Sequence, residues 1–255
     1  MILEAFRLDG RVALVTGAAR GLGQAMAVGP AEAGADIALL DRIDPTESQR
    51  RIEAIGRRAV PLLHDLQELT PERAGDIVGE CVAALGRLDI LVNNAGILRR
   101  ASALDVTEED WRAVIDIDLS AAFFLSQAMA RGLVAAGRGG KIINVASMLS
   151  FQGGVMVPAY AAAKSGLAGL TRALANEWAP LGININAIAP GYLATEVTAG
   201  IRADPARADS ILARIPAGRW GDPTDLQGAI VFLASTAAAY LHGAILPIDG
   251  GWLAR

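Results

Sequence analysis

The sequence is poor in the residues that build disulfides and metal sites. It holds one cysteine, Cys81, and two histidines, His64 and His242. A single cysteine excludes an intrachain disulfide, so we expect a cytoplasmic protein kept under reducing conditions. Because no cysteines and histidines cluster in the sequence, nothing in it is typical of a transition-metal site, and we predict no metal.

The sequence also lacks a basic region and a secretory signal. The 23 basic and 27 acidic residues give a net charge of −4, and the first ten residues, MILEAFRLDG, have no basic start followed by an apolar stretch. We therefore predict no nucleic-acid partner and no contact with an anionic membrane surface.

Two uncharged stretches, residues 142–163 and 226–248, are long enough to raise the question of a membrane span. Both exceed the roughly 20 residues that a helix needs to cross a bilayer. Each contains several polar residues, however, and each changes its hydrophobic period midway. We interpret each as a strand and part of a helix, and predict no membrane partner.

Aromatic residues make up only 5% of the chain, whereas 53% of it is hydrophobic, so most of the apolar material is small and aliphatic. That composition favours a parallel sheet buried on both faces. Aliphatic runs predict seven strands, at residues 12–15, 36–40, 59–63, 88–92, 141–145, 183–188 and 244–248. Segments with helical period lie between them, at residues 22–33, 45–56, 71–85, 108–136, 159–178 and 223–234. The alternation predicts an α/β fold with a doubly wound parallel sheet.

No linker or repeat divides the chain, so we predict a single domain over residues 1–255. Residues 192–222 contain prolines and glycines and show no clear period. A long irregular segment late in such a fold is often a substrate lid, and we predict one here.

One local conflict lies in the first predicted helix, where Gly29 and Pro30 follow each other. Proline inside a helix removes a backbone donor and clashes with the preceding turn. We therefore expect a kink or an early end near Val28.

Three glycines follow the first strand, at Gly17, Gly21 and Gly23. Such glycines let the chain turn tightly and approach a pyrophosphate, which then faces the N-terminus of the next helix. Asp41 ends the second strand, where a carboxylate accepts from the adenosine ribose hydroxyls and repels a 2′-phosphate. This pattern predicts NAD as the cofactor. Arg20 and Arg42 favour NADP instead, because a guanidinium suits a phosphate, but we give Asp41 the greater weight.

The candidate reacting group is Tyr160, four residues before Lys164 in a helical run of small residues. This spacing puts both side chains on one helix face. A phenol titrates near 10, which is too high for a good base at neutral pH. A neighbouring ammonium favours the phenolate and lowers that pKa. Ser147 follows the fifth strand, where its hydroxyl is placed to polarise a carbonyl.

These motifs occur together with others in an arrangement that one family shares. They are TGAARGLG at residues 16–23, NNAG at 93–96, Ser147 thirteen residues before Tyr160, YxxxK at 160–164, and Pro190-Gly191 followed by Thr195. Across essentially the whole chain, this combination resembles the short-chain dehydrogenase/reductase family. The resemblance implies a Rossmann-type fold, a nicotinamide-dependent oxidoreductase and a homotetramer with contacts through the long helices at 108–136 and 159–178.

The resemblance also implies a role for each matching residue. By the resemblance, the pyrophosphate is contacted by Gly17, Arg20, Gly21, Leu22 and Gly23, and the adenosine by Asp41, Asp65 and Leu66. The cofactor ribose is bordered by Asn93, Ala95 and Gly96. The nicotinamide carboxamide is positioned by Pro190, Gly191, Thr195 and the Ile188 backbone. Lys164 orients the nicotinamide ribose and tunes Tyr160. Tyr160 exchanges the substrate proton, and Ser147 holds the substrate oxygen.

One position departs from the family pattern. The family usually has an asparagine where this chain has Asp118, and that asparagine is thought to support a water-mediated proton relay to the lysine. Aspartate keeps an acceptor, loses the amide donor and adds a charge. Asp118 either still holds the water through its main-chain carbonyl or pairs with Lys164, so its place among the catalytic residues stays open.

Several segments resemble, more closely, members of the family that interconvert a hydroxyl and a ketone on deoxy sugar acids: residues 93–100, 141–154, 187–192, 214–221 and 249–255. A sugar acid needs a local cation for its carboxylate, and Arg99 and Arg100 are our candidates, unless they form surface ion pairs. Met148 and Gln152 are placed to line the same pocket. Gluconate-oxidising members, reductases of ketoacyl groups on a carrier protein, and a non-catalytic NAD-binding sensor or scaffold are the alternatives.

Overall fold

All seven predicted strands form one parallel sheet in the computed structural model, which describes residues 1–254. The strands are β1 (Val12–Thr16), β2 (Asp36–Asp41), β3 (Ala59–Leu63), β4 (Ile90–Asn93), β5 (Gly140–Val145), β6 (Ile183–Pro190) and β7 (Ile245–Ile248), and their spatial order is β3-β2-β1-β4-β5-β6-β7. The order reverses between β1 and β4. In open sheets of this kind, ligands bind at the carboxyl ends of the strands beside that reversal.

Helices cover both faces of the sheet, as predicted. They are α1 (Gly21–Glu32), α2 (Thr46–Ala54), α3 (Pro71–Leu85), α4 (Glu108–Ile115), α5 (Ala121–Ala135), α6 (Pro158–Trp178), α7 (Glu196–Arg202), α8 (Pro205–Leu212) and α9 (Gln227–Ala234). One apolar cluster joins the sheet to α3, α5 and α6, and a second joins its other face to α1, α2 and α9. The predicted doubly wound α/β fold in a single domain is confirmed.

The early end of α1 near Val28 was a wrong expectation. The helix runs on to Glu32, so Pro30 lies in its last turn; the proline removes the one amide hydrogen bond that residue 30 would donate to the Met26 carbonyl, but the helix does not end there. Gly29 has a separate role: a Cβ there would lie 3.0 Å from Cβ of Gln227. The missing side chain lets α1 approach the start of α9, and Gln227 Nε2 donates to the Ala25 carbonyl at 3.2 Å.

A π-helical turn, Asp116–Ser120, joins α4 to α5, so that residues 108–135 form one continuous helix. Within residues 1–254, this is the one helix that is long and apolar enough by composition to cross a membrane. More than half of its most apolar window is buried inside the fold, as in the core helix of a globular domain. The two uncharged stretches considered above divide into separate strands and helices.

Residues 192–222 are more regular than we expected, because they contain the two short helices α7 and α8. A parallel bridge between Leu193 and Gly221 closes the base of the segment, with Gly221 N donating to the Tyr192 carbonyl at 3.0 Å. The segment is therefore a loop anchored at both ends, beside the carboxyl ends of the strands. Its action as a lid stays a prediction.

Candidate active site

A cavity of about 1490 Å³ opens at the carboxyl ends of the strands. The structure brings most of the predicted site residues to its wall: Gly17, Arg20, Gly21, Leu22, Gly23, Asp41, Asp65, Leu66, Ala95, Gly96, Arg99, Arg100, Asp118, Ser147, Met148, Gln152, Tyr160, Lys164, Pro190, Gly191 and Thr195. Two predicted residues, Asn93 and Ile188, do not line it.

The glycine loop between β1 and α1 has the shape of a cradle for an anionic group. Gly17 has a φ of +64°, and a Cβ on it would lie 2.9 Å from Asn94 Nδ2. A Cβ on Gly23 would collide with the Gly17 carbonyl oxygen. Arg20 is the residue before α1, and its side chain forms no capping hydrogen bond to the first amides of the helix. Free amides at a helix N-terminus suit a pyrophosphate, and the residues present therefore fit a dinucleotide.

Hydrogen bonds between the ends of β1 and β4 hold the cradle in place. Thr16 Oγ1 accepts from the amides of Asn94 and Ala95 at 2.9 and 2.8 Å. Asn94 Nδ2 donates to the Thr16 carbonyl at 2.8 Å. The second asparagine of the NNAG motif therefore supports the phosphate loop from below, and Asn94 also lines the cavity, which sequence reasoning did not anticipate.

Asn93, which we expected beside the cofactor ribose, points into the core instead. Its Nδ2 donates to Asn144 Oδ1 at 2.9 Å and to Ser126 Oγ at 3.0 Å, and Asn144 Nδ2 donates to Thr171 Oγ1 at 2.9 Å. All four side chains are buried. Successive residues along an extended strand face opposite sides of the sheet, so the side chain of Asn93 enters the core and that of Asn94 contacts the glycine loop.

At the adenosine end, the structure holds Asp41 firmly. Its Oδ2 accepts from the Ala19 amide at 2.9 Å and its Oδ1 from the Ile43 amide at 3.2 Å. Both nearby arginines, Arg42 and Arg20, have a carboxylate neighbour. Arg42 Nη1 lies 3.9 Å from Asp65 Oδ2. Arg20 Nη1 lies 2.6 Å from an oxygen of Glu196 on α7, so one ion pair spans from the glycine loop to the 192–222 segment.

The three predicted catalytic side chains converge at the other end of the cavity. Ser147 follows β5, and its Oγ accepts from the Leu149 amide at 3.2 Å. Tyr160 and Lys164 lie in the first two turns of α6, with Lys164 Nζ 5.5 Å from the centre of the tyrosine ring. Lys164 Nζ donates to the Val145 carbonyl at 2.9 Å, which ties α6 to the strand that carries Ser147.

Asp118 projects from the π-helical turn onto this group. Its Oδ2 lies 3.3 Å from Lys164 Nζ, and its Oδ1 accepts from the Ile97 amide at 2.8 Å. A Cβ on Gly96 would lie 2.7 Å from Asp118 Oδ2, so the glycine leaves room for the carboxylate. Of the two possibilities open for Asp118, the geometry favours the pair with Lys164. Single π-helical turns often occur at functional sites.

Charge and burial act against each other in this group. Burial raises the pKa of the Tyr160 phenol and the Asp118 carboxylate raises it further; Lys164 and the Ser147 hydroxyl lower it only in part. The expected effect of Lys164 on Tyr160 is therefore present but outweighed. Burial acts to lower the pKa of Lys164, but the carboxylate of Asp118 reverses it, and the net direction is upward. Burial raises the pKa of Asp118, against the attraction of Lys164.

The end of β6 lies against the C-terminal strand. Gly191 N donates to the Ile248 carbonyl at 3.0 Å, and a Cβ on Gly191 would lie 2.7 Å from Asp249 Cα, so only glycine fits there. Thr195 caps α7 and accepts from the backbone of Thr198 in a capping box. Ile188 is fully buried, and its carbonyl accepts from the Ala146 amide at 2.8 Å.

The candidate substrate residues differ in their freedom to bind a ligand. Arg99 lies 3.5 Å from Asp110, whereas Arg100 is exposed and forms no ion pair with any residue of the described range. Met148 is buried beside Ser147, and Gln152 lines the cavity.

Sequence reasoning missed Arg207, Arg214 and Trp252, which also line the cavity. The spacing of lining residues along α8 would have been a signal, had the helix been recognised.

Comparisons with known proteins agree with this geometry. A family model described as enoyl-(acyl carrier protein) reductase, of the short-chain alcohol dehydrogenase type, matches residues 17–253. The chain is 54% identical to the 2-dehydro-3-deoxy-D-gluconate 5-dehydrogenase of Escherichia coli K12, over 100% of both chains.

Two solved structures give the same picture. One is from Agrobacterium tumefaciens, carries bound NADP and has the proposed identity of a 2-deoxy-D-gluconate 3-dehydrogenase. It is 55% identical, with a TM-score of 0.92 over 98% of this chain and 99% of that one. The other is a gluconate 5-dehydrogenase from Burkholderia cenocepacia in complex with NADP and tartrate. It is 40% identical, with a TM-score of 0.93 over 100% of both chains.

Proposed function

Because the chain belongs to the short-chain dehydrogenase/reductase family, we propose that it interconverts a secondary hydroxyl and a ketone on a deoxy sugar acid of the 2-dehydro-3-deoxy-D-gluconate type. The observation that carries the proposal is the shared cavity: Ser147, Tyr160 and Lys164 line the same space as the glycine loop. Full-length identity to an enzyme of that substrate class supports the choice of substrate.

In this proposal, the glycine loop, Asp41, Asp65 and Leu66 hold the adenosine and pyrophosphate half of a nicotinamide dinucleotide. Ala95, Gly96, Pro190, Gly191 and Thr195 border the nicotinamide half. The two residues that do not line the cavity, Asn93 and Ile188, support it through the core rather than by contact. When bound, the nicotinamide supplies hydride transfer, and the protein supplies position and proton exchange.

The proton moves at Tyr160. In the oxidative direction, the phenolate oxygen of Tyr160 takes the proton of the substrate hydroxyl as its carbon becomes a ketone, and in the reductive direction the phenol returns it. The Ser147 hydroxyl donates to the substrate oxygen and holds it beside Tyr160. Lys164, fixed by the Val145 carbonyl and by Asp118, supplies the positive charge that favours the phenolate.

We propose a preference for NAD over NADP. The Ala19 and Ile43 amides fix the Asp41 carboxylate where an adenosine 2′-phosphate would approach it, and Arg20 and Arg42 already face acidic partners. Related structures carry NADP, so the ratio is worth measuring directly. Asp41→Asn is expected to raise kcat/KM with NADPH more than with NADH. An unchanged ratio would contradict the role of Asp41.

A coupled assay tests the activity itself. Purified protein is screened with NADH and NADPH against a panel of keto-deoxy sugar acids and a ketoacyl thioester. D-gluconate oxidation is assayed with NAD⁺ and NADP⁺, and Tyr160→Phe is the control throughout. Highest kcat/KM on the deoxy sugar acids supports the proposal. Gluconate 5-dehydrogenase is the second candidate, favoured by the likeness to the Burkholderia enzyme. Tight NADH binding without turnover of any substrate would favour the sensor or scaffold.

Location and assembly belong to the same proposal. We expect a cytoplasmic homotetramer whose contacts use residues 108–135 and α6. These helices leave apolar side chains such as Trp111 and Val134 42% and 50% exposed on a single chain, where a subunit contact would cover them. Light scattering on the purified protein gives the mass, and a monomeric mass would contradict the assembly.

A further inference from the structure

One face of α8 and the turn after it forms a wall of the cavity. Arg207, Ser210, Ile211 and Arg214 all line it, at the spacing of three and four residues that places side chains on one helix face. Two of the four are arginines, and no acidic residue of α8 lines the cavity with them. The cavity therefore has a cationic wall that belongs to the 192–222 segment.

Most other cations of the cavity already have acidic neighbours. Arg20 lies beside Glu196, Arg42 beside Asp65, Arg99 beside Asp110 and Lys164 beside Asp118. Across residues 1–254, the lining cations without an ion pair are Arg100, Arg207 and Arg214. An unpaired guanidinium in a cavity is available to a ligand carboxylate.

Arg214 differs from Arg100 and Arg207 because its guanidinium is held in place. Its Cζ lies 3.9 Å from the centre of the Trp252 ring, which is a close cation–π stack. A pre-positioned guanidinium loses less conformational freedom when it binds an anion than a free one does.

Trp252 is itself buried, and its apolar cluster includes the residue that follows the catalytic serine. It is 4% exposed and packs in one apolar cluster with Met148, the residue after Ser147. Gly251 sits at a φ of +89° against Pro216, and Ala217 N donates to the Gly250 carbonyl at 2.9 Å, so the C-terminal turn is pinned beneath the end of α8. The Trp252 Nε1–H has no hydrogen-bond partner within the described part of the chain.

We propose that Arg214, stacked on Trp252, binds the carboxylate of the substrate and so selects sugar acids over neutral sugars. This rests on the proposed function, and it assigns the carboxylate to Arg214, after α8, instead of to Arg99 and Arg100. Arg99 has Asp110 beside it, and no aromatic ring stacks on the guanidinium of Arg100 in the residues that the structure describes.

The test compares Arg214→Ala, Arg214→Lys and Arg100→Ala with the wild type, and uses Arg73→Ala, on the exposed side of α3 away from the cavity, as a matched control. Each is assayed with a deoxy sugar acid and with its uncharged amide. Arg214→Ala is expected to raise KM for the acid about 10- to 100-fold, the loss typical of one charge-assisted hydrogen bond, with little change for the amide. Arg214→Lys should recover part of the loss. If the ratio of KM for the acid to KM for the amide rises only in Arg100→Ala, or in neither variant, the proposal is overturned.

A binding measurement separates this inference from the proposed activity. Tartrate, a hydroxy acid that cannot be oxidised while the bound cofactor is reduced, is titrated calorimetrically into NADH-loaded wild type and Arg214→Ala. Weaker binding to the variant supports the carboxylate site even if no sugar acid is turned over, in which case only the proposed function fails. Equal affinity for both proteins, or no binding to either, overturns the inference. Thermal unfolding verifies that the variants are folded.

Discussion

Replacing Asp118 with asparagine tests how the buried charge next to Lys164 sets the chemistry of Tyr160. The substitution keeps the shape of the side chain and an oxygen for the Ile97 amide, while it removes one negative charge 3.3 Å from Lys164 Nζ. Because that carboxylate raises the pKa of Tyr160, its loss lowers the pKa of the phenol.

The substitution acts on stability as well as on the pKa of Tyr160. At 3.3 Å and an effective dielectric constant of 20, the attraction between Asp118 and Lys164 is about 5 kcal/mol. Part of it offsets the cost of burying both ions, and breaking one partner of such a pair typically costs about 3–5 kcal/mol of stability. The effect of Asp118 on the pKa of Tyr160 ranks below those of burial and Lys164, but it has the same sign as that of burial, so removing the charge lowers that pKa.

The phenolate is the base in alcohol oxidation, so the rate falls as pH drops below the pKa of Tyr160. A lower pKa moves this acid limb of kcat/KM to lower pH, so that the variant oxidises the alcohol faster than the wild type on that limb. The assay is a pH profile of sugar-acid oxidation, with Asp116→Asn in the same π-helical turn as the matched control. A uniform loss of rate with an unmoved limb, in a variant that is still folded, would refute the reasoning and leave Asp118 a structural residue.

Three further predictions concern the nucleotide loop, the reacting phenol and the lone thiol. Tyr160→Phe is expected to lower kcat by about 10²- to 10⁴-fold and leave NADH affinity unchanged in a fluorescence titration; near-normal turnover would exclude Tyr160 as the proton donor. Gly23→Ala is expected to abolish NADH binding, because its Cβ would collide with the Gly17 carbonyl, whereas Gly75→Ala, with open space in α3, should bind NADH normally and raise the unfolding temperature. Burial raises the pKa of Cys81 to about 12, so iodoacetamide at pH 8 should modify it only on unfolding; rapid labelling of the native protein would contradict its buried position.

The strands were predictable from the sequence because both faces of this sheet are covered. A strand such as β1, with five buried residues, reads as a continuous aliphatic run bounded by turn residues. The glycine loop was predictable for a related reason, since a tight turn and a close helix contact each demand a residue without a side chain. In both cases a local stretch of sequence carries the whole physical requirement.

The two helices at residues 196–212 were not predicted, because each is only seven or eight residues long and periodicity is weak at that length. Capping chemistry was the available signal: Asp204 accepts from the Arg207 amide, and Pro205 takes the first helical position. The Arg214–Trp252 stack had no local signal, because its two residues come from separate segments that only the fold joins. The inward turn of Asn93 likewise depends on the sheet face, which the NNAG motif does not specify.

The buried amides of Asn93 and Asn144 have a consequence for how the chain folds. The two residues are direct register partners on β4 and β5, and their side chains bond each other only in that alignment. Strands as uniformly aliphatic as these would lose little packing if one slid along the other by two residues. Such a slip would leave several buried polar groups unsatisfied, at about 1–3 kcal/mol each. The amide pair therefore selects one pairing during folding, and with it the relative height at which the loop after β4 and Ser147 after β5 emerge from the sheet.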